Sequence, residues 1–480
     1  MKTLQQYEPV IGLEIHAQVS TKSKIFCDSA TEFGKEHNSQ ICPVCTGYPG
    51  VLPVLNKKVV EYAILTGLAL NCEIAKFSKF DRKHYFYPDL PKNIQISQYD
   101  LPICKNGYLI IEGKKIRINR IHMEEDAGKL VHAGAAGIAG STYSLVDYNR
   151  TGVPLLEIVS EADITSPEQA RLYTEELRNI VRYLGVCDGN LEEGSLRCDA
   201  NVSIRPVGQK EFGTKVEIKN LNSFRALQRA LEYEIERQTD EVENGGKIIQ
   251  ETRLWKDDES RTISMRTKEE AHDYRYFPEP DLVPLEIDAE WIHRIRETMP
   301  ELPQEKRRRY VEEIGLSESD AAMLVDSVET ARFFDRVVNL TGNPKAAANW
   351  LMGDITAYLK EKKITINDTQ LPPESLAQMV ELIEKGKISN AIAKKIIVPL
   401  MEKGGSPEQL VEEKGLSVIS DEAQIIDIIK KIIADNPKEV EKYKSGKTQV
   451  IGFLVGLVMK ETRGKADPGL VNRLFQQELK

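Results

Sequence analysis

Glu14 and His16 stand two residues apart in Ile11-Gly12-Leu13-Glu14-Ile15-His16-Ala17-Gln18-Val19, where apolar residues fill the alternate positions. Side chains alternate between the faces of a strand, so a strand over Val10–Val19 buries Ile11, Leu13, Ile15, Ala17 and Val19 and points Glu14, His16 and Gln18 the other way. Leu196 to Arg205 repeats the pattern, with Arg197, Asp199, Asn201, Ser203 and Arg205 opposite Leu196, Cys198, Ala200, Val202 and Ile204. A third such strand presents Lys215, Glu217 and Lys219, and a fourth, Arg117 to Glu125, ends in the carboxylate pair Glu124 and Glu125. Any one of them alone reads more readily as the solvated outer face of an antiparallel strand, and it is the four together that weigh against this. Such faces usually mix Lys, Thr, Glu and Ser, whereas these four supply Asp, Asn, Glu and His. That set is the oxygen-rich, partly imidazole coordination suited to a hard divalent ion, magnesium or manganese.

Directly after the third strand comes Asn220-Leu221-Asn222-Ser223, where Asn222 or Ser223 can cap a helix carrying Phe224, Leu227, Leu231 and Ile235 and ending at Gly245-Gly246. A helix start offers free N–H groups and a positive dipole end, and Lys219 and Arg225 flank it, so a nucleotide phosphate fits there; an ordinary cap with surface cations is the alternative. No GxxxxGK[ST], strand-borne GxGxxG or kinase HRD and DFG set occurs, so a nucleotide site in this chain is not loop-based.

The elements that must position these residues can be read from composition and period. A chain of 480 residues exceeds one ordinary core and implies about three domains. With 41% hydrophobic and 29% charged residues, no long apolar run and no apolar core in the opening MKTLQQYEPV, neither a membrane nor secretion is expected, and the cytoplasm is. Seven cysteines in a chain of this size point to a reducing compartment rather than a disulfide framework. The net charge is −9, yet from Lys438 to Lys480 nine Lys/Arg face five Asp/Glu, making the tail the basic end. Up to about residue 290 short period-two segments are separated by Gly, Pro, Asn and Asp, as in a sheet with one wet face. Beyond, helical spacing takes over, as in Tyr310, Val311, Ile314 and in Ala321, Leu324, Val325, Val328. Glu402 to Pro407 reads as a flexible linker to a small helical tail with periods at Ile425–Ile433 and Val450–Val458, and Ala133–Gly140 as a flexible surface loop.

Several long strings are specific together: Ile11-Gly12-Leu13-Glu14-Ile15-His16, Tyr85-Phe86-Tyr87-Pro88-Asp89-Leu90-Pro91-Lys92-Asn93, Asp147-Tyr148-Asn149-Arg150-Thr151-Gly152-Val153-Pro154, Arg197-Cys198-Asp199-Ala200-Asn201 and Asp273-Tyr274-Arg275-Tyr276-Phe277-Pro278. In these the chain resembles, over essentially its whole length, the B subunits of bacterial aspartyl/glutamyl-tRNA(Asn/Gln) amidotransferases. The resemblance implies an α+β protein: a glutamine-synthetase-like antiparallel-sheet cradle (1–291), an all-helical domain (292–405) and a small helical tail domain that contacts tRNA (406–480). It implies magnesium ligands at Glu14, His16, Glu125, Asp199, Asn201 and Glu217, with Glu124 adjacent. The implied reaction is phosphoryl transfer from ATP to the side-chain carboxylate of Glu on tRNA(Gln) or Asp on tRNA(Asn), then attack by ammonia. Lys92, Arg150 and Lys219 are candidates to stabilise the charge of that transfer, and Lys219, Asn220, Asn222, Ser223 and Arg225 to hold the nucleotide. No glutaminase nucleophile motif is present, so the resemblance assigns ammonia supply to an amidase-type A subunit and bracing to a small C subunit. An RNA-docking scaffold without chemistry and a ligase for a free amino acid are the rival readings.

Cys27, Cys42 and Cys45 resemble a zinc motif of some family members, Cys-x-Cys followed by Cys-x-x-Cys, except that Ser29 stands where the second cysteine belongs. Structural zinc takes four donors. Either His37 or another residue completes the set, or zinc is lost.

Overall fold

A computed structural model describes residues 6–132, 141–267, 273–416, 422–445, 448–462, 466 and 468–479; the stretch 133–140 expected as a surface loop lies outside them. The chain divides into two compact units, Met1–Pro303 and Gln304–Lys480.

The first unit is built on a twelve-stranded sheet. Its main strands are β1 (Tyr7–Gln18), β2 (Asp81–His84), β3 (Ile94–Ser97), β4 (Cys104–Ile111), β5 (Lys114–Glu125), β6 (Pro154–Ser160), β7 (Leu196–Pro206), β8 (Val216–Lys219), β9 (Glu251–Lys256) and β10 (Arg261–Thr267). They run in the order β10-β9-β8-β7-β1-β6-β5-β3-β2, with Phe277–Pro278 beyond β2, β4 hairpinned to β5 and Glu73–Ile74 paired to β4. All pairs are antiparallel except β8 with β9. β1 lies at the centre, paired with β7 from Tyr7 to Ala17 and with β6 from Glu14 to Gln18.

Alternation assigns the two faces. Ile11, Leu13, Ile15 and Ala17 of β1 join Cys198, Ala200 and Val202 of β7 in one core with helices α1 (Lys57–Ala69), α2 (Pro167–Tyr183) and α3 (Phe224–Glu243). Leucine, isoleucine and valine side chains of this kind each gain about 1.5–3 kcal/mol on burial, which makes one-residue slippage of β1 costly, since it would bury Glu14 and His16 in their place. The sheet therefore holds the opposite, polar face at a fixed register.

The second unit is helical throughout its described residues, and two sequence expectations there are corrected. Ala321, Leu324 and Val325 belong to helix Glu318–Val325, but Val328 opens the next helix, Val328–Thr341, because the Ser327 hydroxyl accepts from Thr330 N and starts a new turn. The expected linker at 402–407 is a short turn between helices Asn390–Lys403 and Pro407–Glu413, held where Ser375 Oγ donates to Gly405 O at 2.7 Å. Near the chain end Ile425, Ile429, Leu454, Val458, Val471 and Phe475 form a core of their own.

Candidate metal centre

The register maps the polar face as rows across the strands. One row runs Arg197, His16, Glu157, His122 through β7, β1, β6 and β5; the next holds Asp199 and Glu14. On the other side of the first row Glu124 of β5 stands opposite Ser97 of β3. These side chains converge. His16 Nε2 lies 3.4 Å from Glu124 Oε1, 3.4 Å from Glu157 Oε2 and 4.0 Å from Glu14 Oε1, and His122 Nε2 lies 3.1 Å from Glu157 and 3.7 Å from Glu124.

Glu124, Glu157 and His122 are buried, so their charges are poorly screened. Burial alone pulls both imidazoles down, yet hydrogen bonding to Glu157 and the charges of Glu124 and Glu157 outweigh it: His16 is raised above its ordinary value and His122 reaches about 9. Burial alone pushes Glu157 up, and the two imidazoles override that and hold it far below the usual carboxylate range. Glu14 is raised by burial first and by the charges of Glu157 and Asp199 after it. Protons on two histidines thus neutralise what one divalent cation can neutralise. The ligand atoms of Glu14, His16 and Glu157, and those of His122, Glu124 and Glu157, lie within 4.8 Å of one another. With carboxylate oxygens in the majority and imidazole in support, the set fits a hard divalent ion.

The structure brings together only part of the expected ligand set. Asp199 and Glu217 form a neighbouring group bridged by Lys219, whose Nζ contacts Asp199 and lies 3.2 Å from Glu217; Thr252 Oγ1 donates to Glu217 at 2.7 Å, and Asn201 stands between Gly12 and Glu217 in register. Glu125 is not with Glu124, because adjacent residues of a strand face opposite ways. Its carboxylate accepts from Lys92 Nζ at 2.6 Å and Ile96 N at 2.9 Å and lines a cavity with Cys27 and Cys45. The pair expected at the end of β5 is therefore split. Lys92 goes with Glu125, and Arg150 donates to Ala127 O and Gly128 O at 2.9 and 2.6 Å, 3.6 Å from Asp126. At the start of α3 the Ser223 hydroxyl accepts from Ala226 N at 3.0 Å, Asn220 adopts φ 69° and donates to Trp255 O, and Asn222 donates to Asn220. Asn222, Ser223 and Arg225 are exposed there.

Two central residues, Glu157 and His122, were not anticipated. Their signals were present: Glu157 is the one carboxylate in the apolar run Pro154–Val159, and His122 is in phase with Glu124 at period two. A cavity of about 490 Å³ opens on this cluster, lined by Glu14, His122, Glu124 and Glu157 and walled by Tyr99 stacked on Tyr276 at 4.2 Å.

The three thiols converge as well, all within 4.8 Å of one another. Cys45 Sγ accepts from Cys42 N at 3.2 Å and from the wholly buried Lys24 ammonium at 3.6 Å, with Ser29 Oγ at 3.9 Å. A hydrogen bond from Cys27, ahead of the burial that opposes it, lowers the Cys45 thiol to about 4 and leaves Cys27 as the protonated partner. His37 does not complete the set: among the described residues the group that converges here is Cys27, Cys42 and Cys45, and the His37 Nδ1 pairs with Asp147 at 2.8 Å. Three sulfurs and a hydroxyl fall one thiolate short of a closed zinc site.

The residues that hold the acidic–imidazole cluster and the cavity, with nearly all of the sheet, fall within 9–293, which match the family model of the GatB/GatE catalytic domain, with residues 332–479 matching the GatB domain. The chain is similar to the B subunit of the aspartyl/glutamyl-tRNA(Asn/Gln) amidotransferase of Trichodesmium erythraeum, 59% identical over 99% of this chain and 98% of the relative. The B subunits of the same name from Carboxydothermus hydrogenoformans and Thermodesulfovibrio yellowstonii are each 57% identical, covering 99% of this chain and 99% and 100% of their own lengths. The chain belongs to the family of B subunits of the tRNA-dependent aspartyl/glutamyl amidotransferases.

Proposed function

We propose that the chain is the activating subunit of this amidotransferase: it phosphorylates the side-chain carboxylate of Glu-tRNA(Gln) or Asp-tRNA(Asn) with ATP and magnesium, and ammonia then displaces phosphate to give the amide. The observation that carries this reading is the convergence of Glu14, Glu124, Glu157 and His122 on one cavity, with His16 in contact with the three carboxylates. A carboxylate oxygen leaves poorly until it is phosphorylated, and phosphoryl transfer needs charge neutralisation and alignment rather than a protein nucleophile. Bound magnesium supplies charge neutralisation of the phosphates. Glu14, Glu124 and Glu157 with His16 would hold it. Burial of Glu124, Glu157 and His122 excludes water from the inner side of the site, and the bond network around Lys219 holds Asp199 and Glu217 in place beside it.

On this reading the sheet unit is the glutamine-synthetase-like cradle for ATP and the tRNA acceptor end, residues 1–291, followed by a helical domain over 292–405 and a tRNA-binding tail over 406–480. Ammonia comes from a glutaminase A subunit that a small C subunit braces, and the complex works in the cytoplasm. Among the described residues no helix is long and apolar enough to cross a membrane. Co-expression with A and C subunits, followed by ATP- and glutamine-dependent amidation of each mischarged tRNA, tests the whole proposal. Absence of ATP-dependent product with both tRNAs rejects it.

A further inference from the structure

The strands that carry the candidate ligands, and the segments beside them, bring several cations to the site, and most of these are already held by two or more partners. Lys219 is shared by Asp199 and Glu217; Arg150 is held by two carbonyls and Asp126; Arg120 lies 3.5 Å from Glu157 and donates to Asn119 at 3.4 Å; Lys92 is on the Glu125 side. Arg197 differs. Among the described residues its one hydrogen-bond partner is Asp126, reached from Nη2 at 2.7 Å, while its Nε is buried without an acceptor. Its side chain is 37% exposed, so the guanidinium still reaches the open face. It lies directly across from His16 in register and two residues from Asp199 on the same face of β7. Asp126 is itself fixed, accepting from Gln18 Nε2 and Ala127 N at 2.9 Å each. A planar fork with unengaged donors, aimed by a buried carboxylate and set among metal-binding groups, matches the oxygens of a phosphoryl group.

We propose that Arg197 contacts the γ-phosphoryl group as it passes from ATP to the aminoacyl carboxylate, with Asp126 positioning it; this rests on the functional reading above. In that step a carboxylate oxygen forms the new bond to γ-phosphorus and the bond from γ-phosphorus to the β,γ-bridging oxygen breaks. ADP leaves with the electron pair, and no proton need move, since the carboxylate arrives ionised. The charge on the transferring group is what Arg197 meets.

The test uses the heterotrimer with mischarged tRNA, following ADP release and amidation, with binding of a fluorescent ATP analogue measured separately. Arg197→Lys keeps a positive charge but loses the fork, and is expected to lower kcat by about 100-fold with the KM for ATP and analogue binding within about threefold of wild type. Arg197→Ala is expected to regain part of its rate when guanidinium ion is added. A fall in kcat of less than about tenfold for Arg197→Lys, or a loss carried by KM alone, overturns the proposal. Asp126→Asn supplies a second variant should the lysine substitution disturb folding: it should lower kcat with KM retained, and an unchanged kcat overturns the positioning role. Wild-type complex without ATP- and tRNA-dependent ADP release would sink the functional reading itself; active wild type with equally active Arg197→Lys sinks only this inference.

Discussion

Glu124 and Glu125 are neighbours in sequence, yet one faces two histidines and the other faces lysine and thiols. On the Glu124 side Glu14, Glu124 and Glu157 surround His16 and His122, and buried negative charge is balanced mainly by protons on imidazoles, with Arg120 3.5 Å from Glu157. On the Glu125 side the two groups that replace that cluster each have a lysine: Glu125 has Lys92, and the Cys45 thiolate has Lys24. A cation bound at the first site takes the place of protons that imidazoles can release. A cation bound at the second must compete with ammonium groups of the chain that cannot leave. On the reading proposed above, the difference favours an exchangeable divalent ion at the first cluster and disfavours zinc at the second, which is one sulfur short.

The largest effect that would break this comparison is at Glu157. Removing it strips the shared partner from both histidines and one ligand from the candidate metal. Glu157→Ala in the assembled heterotrimer is expected to lower ATP-dependent ADP release by on the order of 10²–10³-fold. A rate near wild type would remove Glu157, and the face built around it, from the reaction.

Proton occupancy gives the next effect, readable as stability in metal-stripped protein. The folded pKa of His122, about 9, lies above its ordinary value of 6.5, so charged His122 contributes stability that is fully present below pH 6.5 and lost as pH rises through about 9. The thermal midpoint should therefore fall between those limits after chelation. Magnesium at about a hundred times its Kd should add about 2.7 kcal/mol, and should flatten the decline by taking over the neutralisation. A chelated protein whose midpoint is level from pH 6.5 to 9 would show that the histidines are not the neutralising groups.

Much of the polar face was legible because strand period is rigid: Glu14 with His16, and Asp199 with Asn201, are fixed on one side by apolar partners at every alternate position. Glu157 was hidden because β6 is covered on both faces, so its run of leucine, isoleucine and valine shows no alternation. Glu125 was grouped with Glu124 by proximity in sequence, although the same period-two argument, followed through Arg120, His122 and Glu124, separates them. The engagement of the cations was not legible at all, since Lys92 finds Glu125 and Arg197 finds Asp126 only through sheet register. In the second unit helical spacing ran on smoothly across Ser327, where a cap breaks the helix without disturbing the apolar pattern.

Ser29→Cys sharpens the other side of the comparison. It adds the fourth sulfur beside Cys45, where the serine hydroxyl now lies at 3.9 Å. After a chelator wash the wild type is expected to retain less than about half an equivalent of zinc and the variant about one, by metal analysis of both proteins. Equal, full zinc in the wild type would show that three sulfurs and a hydroxyl suffice here despite Lys24.

The smallest expected effect tests the split itself. Glu124→Gln and Glu125→Gln make the same chemical change one residue apart, so composition and net charge cannot distinguish them. Glu124→Gln removes an anion from the histidine cluster and should abolish most of the magnesium-dependent rise in thermal midpoint. Glu125→Gln leaves Lys92 without its carboxylate, which should lower stability in all conditions by about 1–3 kcal/mol while the magnesium-dependent rise stays as in wild type. The difference between melts with and without magnesium therefore separates the two faces even if both variants are less stable. If Glu125→Gln erased that difference as Glu124→Gln does, both carboxylates would act on one ion, and the ion would have to reach through the edge of the sheet where β5 ends.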